Sequence, residues 1–223
     1  MANTTDNETK IYGKGLLSFP RLFEPQPSKT LGKDGKPKLK YTATIVLSDP
    51  AEIKKLKQAY LDAVFVKFGK DKGTQMLKDE ELKSPFLTKK LEKYGYPEGS
   101  CYIRVSSVKR PGIVADYRDP ETGKPAKVLD PERMYSGVMV NASLRLFWYD
   151  NDGNRGFSFG FNNMQRLTRK ENGKPAREDW PRMDGRVNAE DDFEADDELD
   201  GYDAAEFETE EAGSVTGDVS DLV

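Results

Sequence analysis

The segment SLRLFWYD, residues 143–150, alternates Arg145, Phe147 and Tyr149 with Leu144, Leu146 and Trp148. Successive side chains of a strand point to opposite faces, so this spacing places one cation and two flat rings on the same side. SCYIRVSSV, residues 100–108, repeats the pattern with Tyr102 and Arg104 opposite Cys101, Ile103 and Val105. Rings beside cations suit unpaired nucleotides: each base stacked on an aromatic contributes about 1–3 kcal/mol, and the cations hold phosphates. Tyr102, Phe147 and Tyr149 are the candidate stacking rings. Arg104, Lys109, Arg110, Arg145 and Arg155 are candidate phosphate contacts, joined by Lys36, Lys38 and Lys40 from a basic loop. Stacking accepts any base, so the expected binding is independent of sequence. A ring on a strand is more often core than platform. Phe157, Phe159 and Phe161, in register, read as an inward face, and Trp148 falls on the aliphatic side.

Other chemistry has few tools here. With no histidine, the chain has no imidazole base or nucleophile partner and lacks the commonest zinc ligand. A single cysteine, Cys101, allows neither an internal disulfide nor a thiolate cluster and fits a reducing compartment. The pairs Gly35-Lys36, Gly123-Lys124 and Gly173-Lys174 each precede proline and lack the remaining residues of a phosphate-binding loop. Acids in the body are scattered, which disfavours a carboxylate–magnesium nuclease. No catalytic residue, metal site or cofactor is therefore expected. No apolar run approaches the roughly 20 residues that span a bilayer, and the N-terminus lacks a secretory pattern. A soluble, cytoplasmic protein without membrane contact is the expectation.

Charge divides the chain. Residues 190–223 hold fifteen acids and no Lys or Arg, while residues 1–189 hold 35 basic and 24 acidic side chains. The net charge of −4 thus conceals a basic body and an anionic tail. Such a body suits a polyanion, and such a tail imitates one. Asp191, Asp192, Phe193, Asp196, Asp197, Glu198 and Phe207 intersperse acids with rings, as nucleic acid intersperses phosphates with bases. The tail is too charged and too poor in aliphatics to fold alone. Tethered to a basic groove, it would compete with nucleic acid at about millimolar effective concentration. Once displaced, it would be available to partner proteins. As a bland alternative, it is a solubilising extension.

The elements that must position these residues are mostly strands. Residues 1–10 are a flexible start, 11–189 one domain and 190–223 a disordered tail. Residues 11–23 read as a strand with an edge or bulge at Pro20, followed by a long basic loop, EPQPSKTLGKDGKPKLK. KYTATIVL, residues 40–47, alternates as a half-buried strand. One helix spans 50–68: Asp49 is the N-cap, Pro50 the first helical residue, Glu52 stands at capping-box spacing, and Gly69 closes the end. Residues 70–99 read as a short helical turn and loops, and GIVADY, 112–117, as an extension of the preceding strand. A second turn-rich loop, DPETGKPAKVLDPE, leads to a long hairpin over 134–167 that turns at Asn151-Asp152-Gly153-Asn154. The three Gly-Lys-Pro steps read as similar hairpin tips. The sum is a mainly β, OB-fold-like Greek-key barrel with one inserted helix, long basic loops and a disordered acidic C-terminal tail.

The hairpin YSGVMVNASLRLFWYDNDGNRGFSFGFNNMQRL, followed by GRVNAEDDF and an acidic end, resembles the bacteriophage single-stranded DNA-binding proteins formerly classed as a domain of unknown function. The N-terminal strand and TATIVLSD leading into a helix are also similar. The resemblance covers roughly residues 10–195. It implies an OB-fold, sequence-independent binding of single-stranded DNA, and a role in phage replication, recombination or repair in the bacterial host cytoplasm. Similar replication proteins engage DNA polymerase or helicase through an acidic C-terminus. Several such tails end on Phe, whereas this one ends Asp221-Leu222-Val223, so the electrostatic form of that contact is expected, not the terminal-ring form. A homo-oligomer is compatible with the pattern. The alternative reading is a single-strand annealing recombination protein, distinguished by rings or filaments and by annealing of complementary strands; an adaptor acting only through its tail would leave the basic, aromatic body unexplained.

Overall fold

The computed structural model describes residues 10–31, 34–151 and 154–183. The chain divides into two units, Met1–Arg186 and Val187–Val223. The tail residues singled out above, from Asp191 to Phe207, lie outside the described residues, as do Asp152 and Gly153 of the hairpin turn.

Among the described residues nine strands and two α-helices follow in order: β1 (Ile11–Leu31), β2 (Pro37–Leu47), α1 (Pro50–Phe68), α2 (Lys70–Lys78), β3 (Cys101–Ser107), β4 (Gly112–Arg118), β5 (Pro125–Lys127), β6 (Met139–Asn151), β7 (Asn154–Arg166), β8 (Lys170–Glu171) and β9 (Lys174–Pro175). β1 pairs antiparallel with β2 and β6, β2 with β3, and β6 with β7. The parallel contact of β3 with β7, Val105 opposite Phe159 and Ser106 opposite Gly160, closes a five-stranded barrel. Its order, β1-β2-β3-β7-β6, is that of the OB Greek key. Leu17, Ile45, Ile103, Leu144, Phe159 and Phe161 are fully buried in the core. These are the inward positions of the alternation, so period-two patterning correctly marks the inside of this barrel.

α1 is capped as its sequence implies: Asp49 Oδ1 accepts from the Ala51 amide at 2.8 Å, and the Gly69 amide, at φ +79°, donates to Phe65 O. Glu52 does not complete a capping box. Its carboxylate accepts from the Lys14 amide of β1 at 3.1 Å and pairs with Lys55, tying the helix to the barrel. The inserted segment holds two helices, not one. α2 packs Met76 into a second core with Tyr60, Val64, Leu82 and Phe157, beneath the tip of the β6–β7 hairpin. Its nine residues, KDKGTQMLK, carry too few apolar positions to show a helical period.

The basic loop expected between residues 24 and 40 is largely strand. β1 continues to Leu31 and β2 begins at Pro37, forming a two-stranded arm. Pairing of β1 with β6 ends at Leu16, so Pro25 and Pro27 occupy a stretch with a neighbour on one side only, where a missing amide is tolerated. β4 does not prolong β3 either. It turns away and pairs parallel with the far end of β7, Gly112 opposite Asn163 through Ala115 opposite Arg166.

All three Gly-Lys-Pro steps are hairpin tips. Gly35, Gly123 and Gly173 take φ of +75°, +64° and +77°, and Pro37, Pro125 and Pro175 each lie on the returning strand. Glycine supplies the left-handed turn residue at each tip.

Beyond β9 the chain straps back across the barrel. The Trp180 indole donates to Leu167 O at 2.7 Å, the Tyr135 hydroxyl to Trp180 O at 2.6 Å, and the Met183 amide to Ser136 O at 2.8 Å. Buried Arg166 pairs with Asp179. Gly137 makes the docking possible: at φ +109°, a Cβ there would stand 2.2 Å from Pro181 O.

Candidate nucleic-acid interface

The outward positions of four adjacent strands form ladders across the barrel. One row reads Thr42 (β2), Ser106 (β3), Gly160 (β7), Arg145 (β6); the next reads Thr44, Arg104, Ser158, Phe147. Ser106 and Gly160 occupy the middle of the first row and Arg104 and Ser158 that of the second, so small residues lie beside charged and aromatic ones. The result is a shallow cavity of about 330 Å³, lined by Phe19, Thr42, Ala43, Thr44, Arg104, Val105, Ser106 and Ser158. A floor of hydroxyls and glycine lets a flat group approach the sheet while guanidinium groups reach it from the sides.

Gly160 has a definite part in this. A Cβ at that position would lie 3.0 Å from Arg145 Nε and 3.2 Å from Arg145 Cγ. The Arg145 side chain therefore lies across the glycine. A register shift between Ser143, opposite Asn163, and Leu144, opposite Phe161, sits next to this pair. Lys38 and Lys40 continue the Thr42 side of β2 onto the arm. The arm occupies the place of the first inter-strand loop, which together with the β2–β3 face is where OB barrels bind oligonucleotides.

A third row, Val46 and Tyr102 beside Gly156 and Tyr149, is covered. Below their short contact β3 and β7 diverge, and residues 83–87 fill the gap: the Lys83 amide donates to Arg155 O, and Leu87 exchanges both backbone hydrogen bonds with Tyr102. Tyr102 is consequently 4% exposed, its ring packed on Tyr94 and Tyr96 and its hydroxyl donating to Lys89 O at 3.2 Å. The expected stacking ring is a core residue. Its strand does turn it outward, but the segment that leads into β3 folds over it.

The other sequence candidates separate into groups. Arg104, Arg145 and Phe147, the last 39% exposed, converge on the open rows. Tyr149 is half-buried at the covered end, close enough to Tyr60 to help burial push the Tyr60 phenol upward. Arg155 is engaged with Glu81, which tethers it to the segment after α2. Lys109 and Arg110 are exposed at the β3–β4 turn, Arg110 lying 5.7 Å from the Phe23 ring centroid. Lys36 stands at the arm's tip, where its amide donates to Asp34 Oδ1. Sequence reasoning missed Phe19, which lines the cavity and is 45% exposed. The Phe19-Pro20 step, marking a bulge, was the available signal.

The chemistry of the surroundings is structural. Burial raises the Tyr96 phenol, opposed by its hydrogen bond to Ser18 and by the nearby Arg104 charge. Burial also raises the Cys101 thiol, leaving it poorly suited to nucleophilic work. Among the described residues no group of three or more Cys, Asp or Glu side chains could hold a metal ion. No helix among them is long and apolar enough to cross a membrane.

Several solved structures are similar. The single-stranded DNA-binding protein of bacteriophage Enc34 in complex with ssDNA is 15% identical over 73% of this chain and 88% of its own, at a TM-score of 0.49. A second structure of that phage's protein is 16% identical, covering 83% of this chain and 90% of its own, at 0.47. Gp2.5, a single-stranded DNA-binding protein encoded by bacteriophage T7, is 10% identical with 73% and 88% coverage, at 0.41. No protein of curated function matches. The family of the Enterobacter phage Enc34 ssDNA-binding protein matches residues 9–203, which include the whole barrel, and the chain belongs to that family.

Proposed function

We propose that this protein binds single-stranded DNA, without sequence preference, along the open rows of its barrel face. The reading is supported above all by one arrangement: a floor of Thr42, Thr44, Ser106, Ser158 and Gly160 flanked by Arg104, Arg145 and Phe147. Phosphates would meet the guanidinium groups and the lysines of the arm, and bases would meet exposed rings. The role is non-catalytic and belongs to phage DNA replication, recombination or repair in the host cytoplasm. Residues 11–189 are the binding domain. The acidic residues of 190–223 compete with DNA for the basic face and, when displaced, recruit replication proteins such as a DNA polymerase or helicase.

A titration of the full chain, and of a chain ending at residue 189, against oligo-dT, duplex DNA and single-stranded RNA at several salt concentrations tests this. The expected result is tightest binding to oligo-dT, further tightened by removing the tail at low salt. Failure of both proteins to bind oligo-dT at low ionic strength would refute the reading; equal affinity with and without the tail would refute the competition.

A further inference from the structure

We infer that Phe19 is a base-stacking contact of the groove, presented by a bulge that holds its backbone in the left-handed region. The inference deepens the proposed single-stranded DNA binding and rests on it.

Register locates the bulge. Ser18 faces Thr44 and Arg21 faces Thr42, so Phe19 and Pro20 together stand opposite Ala43 alone. Phe19 takes φ +45°. Bulky residues avoid that region, and a residue before proline is normally held to extended conformations, so this backbone is disfavoured twice. Strain of this kind persists only where the surroundings over-determine it, and it concentrates at binding sites. Here the Phe19 amide donates to Ser136 Oγ at 3.2 Å, and its ring meets Tyr94 in a T-shaped contact at 5.5 Å. Ser136 in turn is held by the strap, through the Met183 amide on its carbonyl.

What the strain achieves is exposure. Ser18 beside it is buried, as is Leu17, yet Phe19 leaves 45% of its surface in solvent. A regular strand would have continued the alternation and removed the ring from this position. Instead the ring borders the cavity shared by Arg104, Ser106 and Ser158. A flat apolar face next to a guanidinium group above a floor of small residues matches one nucleotide: base on ring, phosphate on cation. The competing role is a hydrophobic cover for the cluster of Tyr96, Tyr102 and Val46, against which Tyr94 packs.

Phe19→Leu and Phe19→Trp in the full chain separate the two roles. Leucine keeps apolar contact with Tyr94 but offers no ring; tryptophan keeps the ring. Stacking requires Phe19→Leu to weaken oligo-dT binding roughly 5- to 150-fold at every salt concentration, without changing the salt slope, while Phe19→Trp binds within a few-fold of the parent. Parental affinity for Phe19→Leu, or equal losses in both variants, overturns the inference. Should Phe19→Leu fail to fold, the parent protein decides: photocrosslinking to an oligonucleotide carrying 5-iododeoxyuridine is expected to label the tryptic peptide of residues 15–21, and adducts found only elsewhere overturn the inference. A parent that ignores oligo-dT instead refutes the proposed function itself.

Discussion

Arg104 carries the most exposed charge on the open rows, and replacing it with glutamine isolates the electrostatic part of binding. The residue lies between Thr44 and, across the barrel seam, the small side chains of β7, with its own side chain in solvent. Glutamine keeps much of its length and hydrogen-bonding capacity while removing the charge. Each phosphate neutralised on a single strand contributes about 0.7 to the slope of log K against log salt. Arg104→Gln should therefore flatten that slope by about 0.7. Between 50 and 200 mM salt, the parent's advantage over the variant shrinks by about 2.6-fold, a fourfold change in salt raised to that power. Folding stability should change by no more than about 0.5 kcal/mol, since the side chain is exposed. Fluorescence anisotropy with labelled oligo-dT at four or five salt concentrations reads the slope, and thermal melting checks the fold. Lys54→Gln, on α1 and away from the rows, is the control. Identical slopes for parent and Arg104→Gln would refute a phosphate contact at Arg104, whatever happened to the absolute affinity.

Three further outcomes follow from the packing. Tyr102→Ala should destabilise the protein by about 3–5 kcal/mol in urea denaturation, the range for removing a large buried ring; a variant of parental stability that binds DNA poorly would restore Tyr102 as a platform. Gly137→Ala places a Cβ 2.2 Å from Pro181 O at a φ of +109°, so the strap must undock or the turn distort. Backbone strain alone costs about 1–3 kcal/mol there, and hydrogen exchange at the Trp180 indole should accelerate; an unchanged urea midpoint and exchange rate would contradict the docking. Asp116 is partly buried, which opposes ionisation, but the Thr168 hydroxyl at 2.6 Å and amide at 2.9 Å donate to its carboxylate and leave its pKa below the ordinary value. A depressed folded-state pKa means a contribution present above about pH 4 and lost as pH falls through the folded value. Melting temperatures followed from pH 6 to pH 2 should decline less steeply at the acid end for Asp116→Asn than for the parent. Parallel curves would argue against this linkage.

Local patterns in the chain decided a good deal. Asp49, Pro50 and Gly69 delimit α1 because capping and turn chemistry act within a few residues. The alternation from Val138 to Leu144, and of Phe159 and Phe161, assigns the barrel interior because a strand's side chains follow a period of two, and Trp148 and Phe157 further along the same face enter the second core. The Gly-Lys-Pro steps specify their tips for the same reason. Charge division and the missing histidine narrowed the chemistry without any fold.

Tertiary structure alone decided which outward positions stay open. Tyr102 and Phe147 occupy equivalent outward places on their strands, yet residues 83–96 cover the first and leave the second in solvent. Phe19 has the opposite history, a strand residue turned to the surface by a bulge pinned from Ser136, 117 positions away in the chain. Arg155 looked like a free cation until Glu81, far off in the chain, met it. Periodicity is a property of neighbouring residues, whereas covering, pinning and pairing depend on segments that meet only after the barrel closes. The identity of the inner wall was thus written locally, and the shape of the outer groove came from long-range contacts.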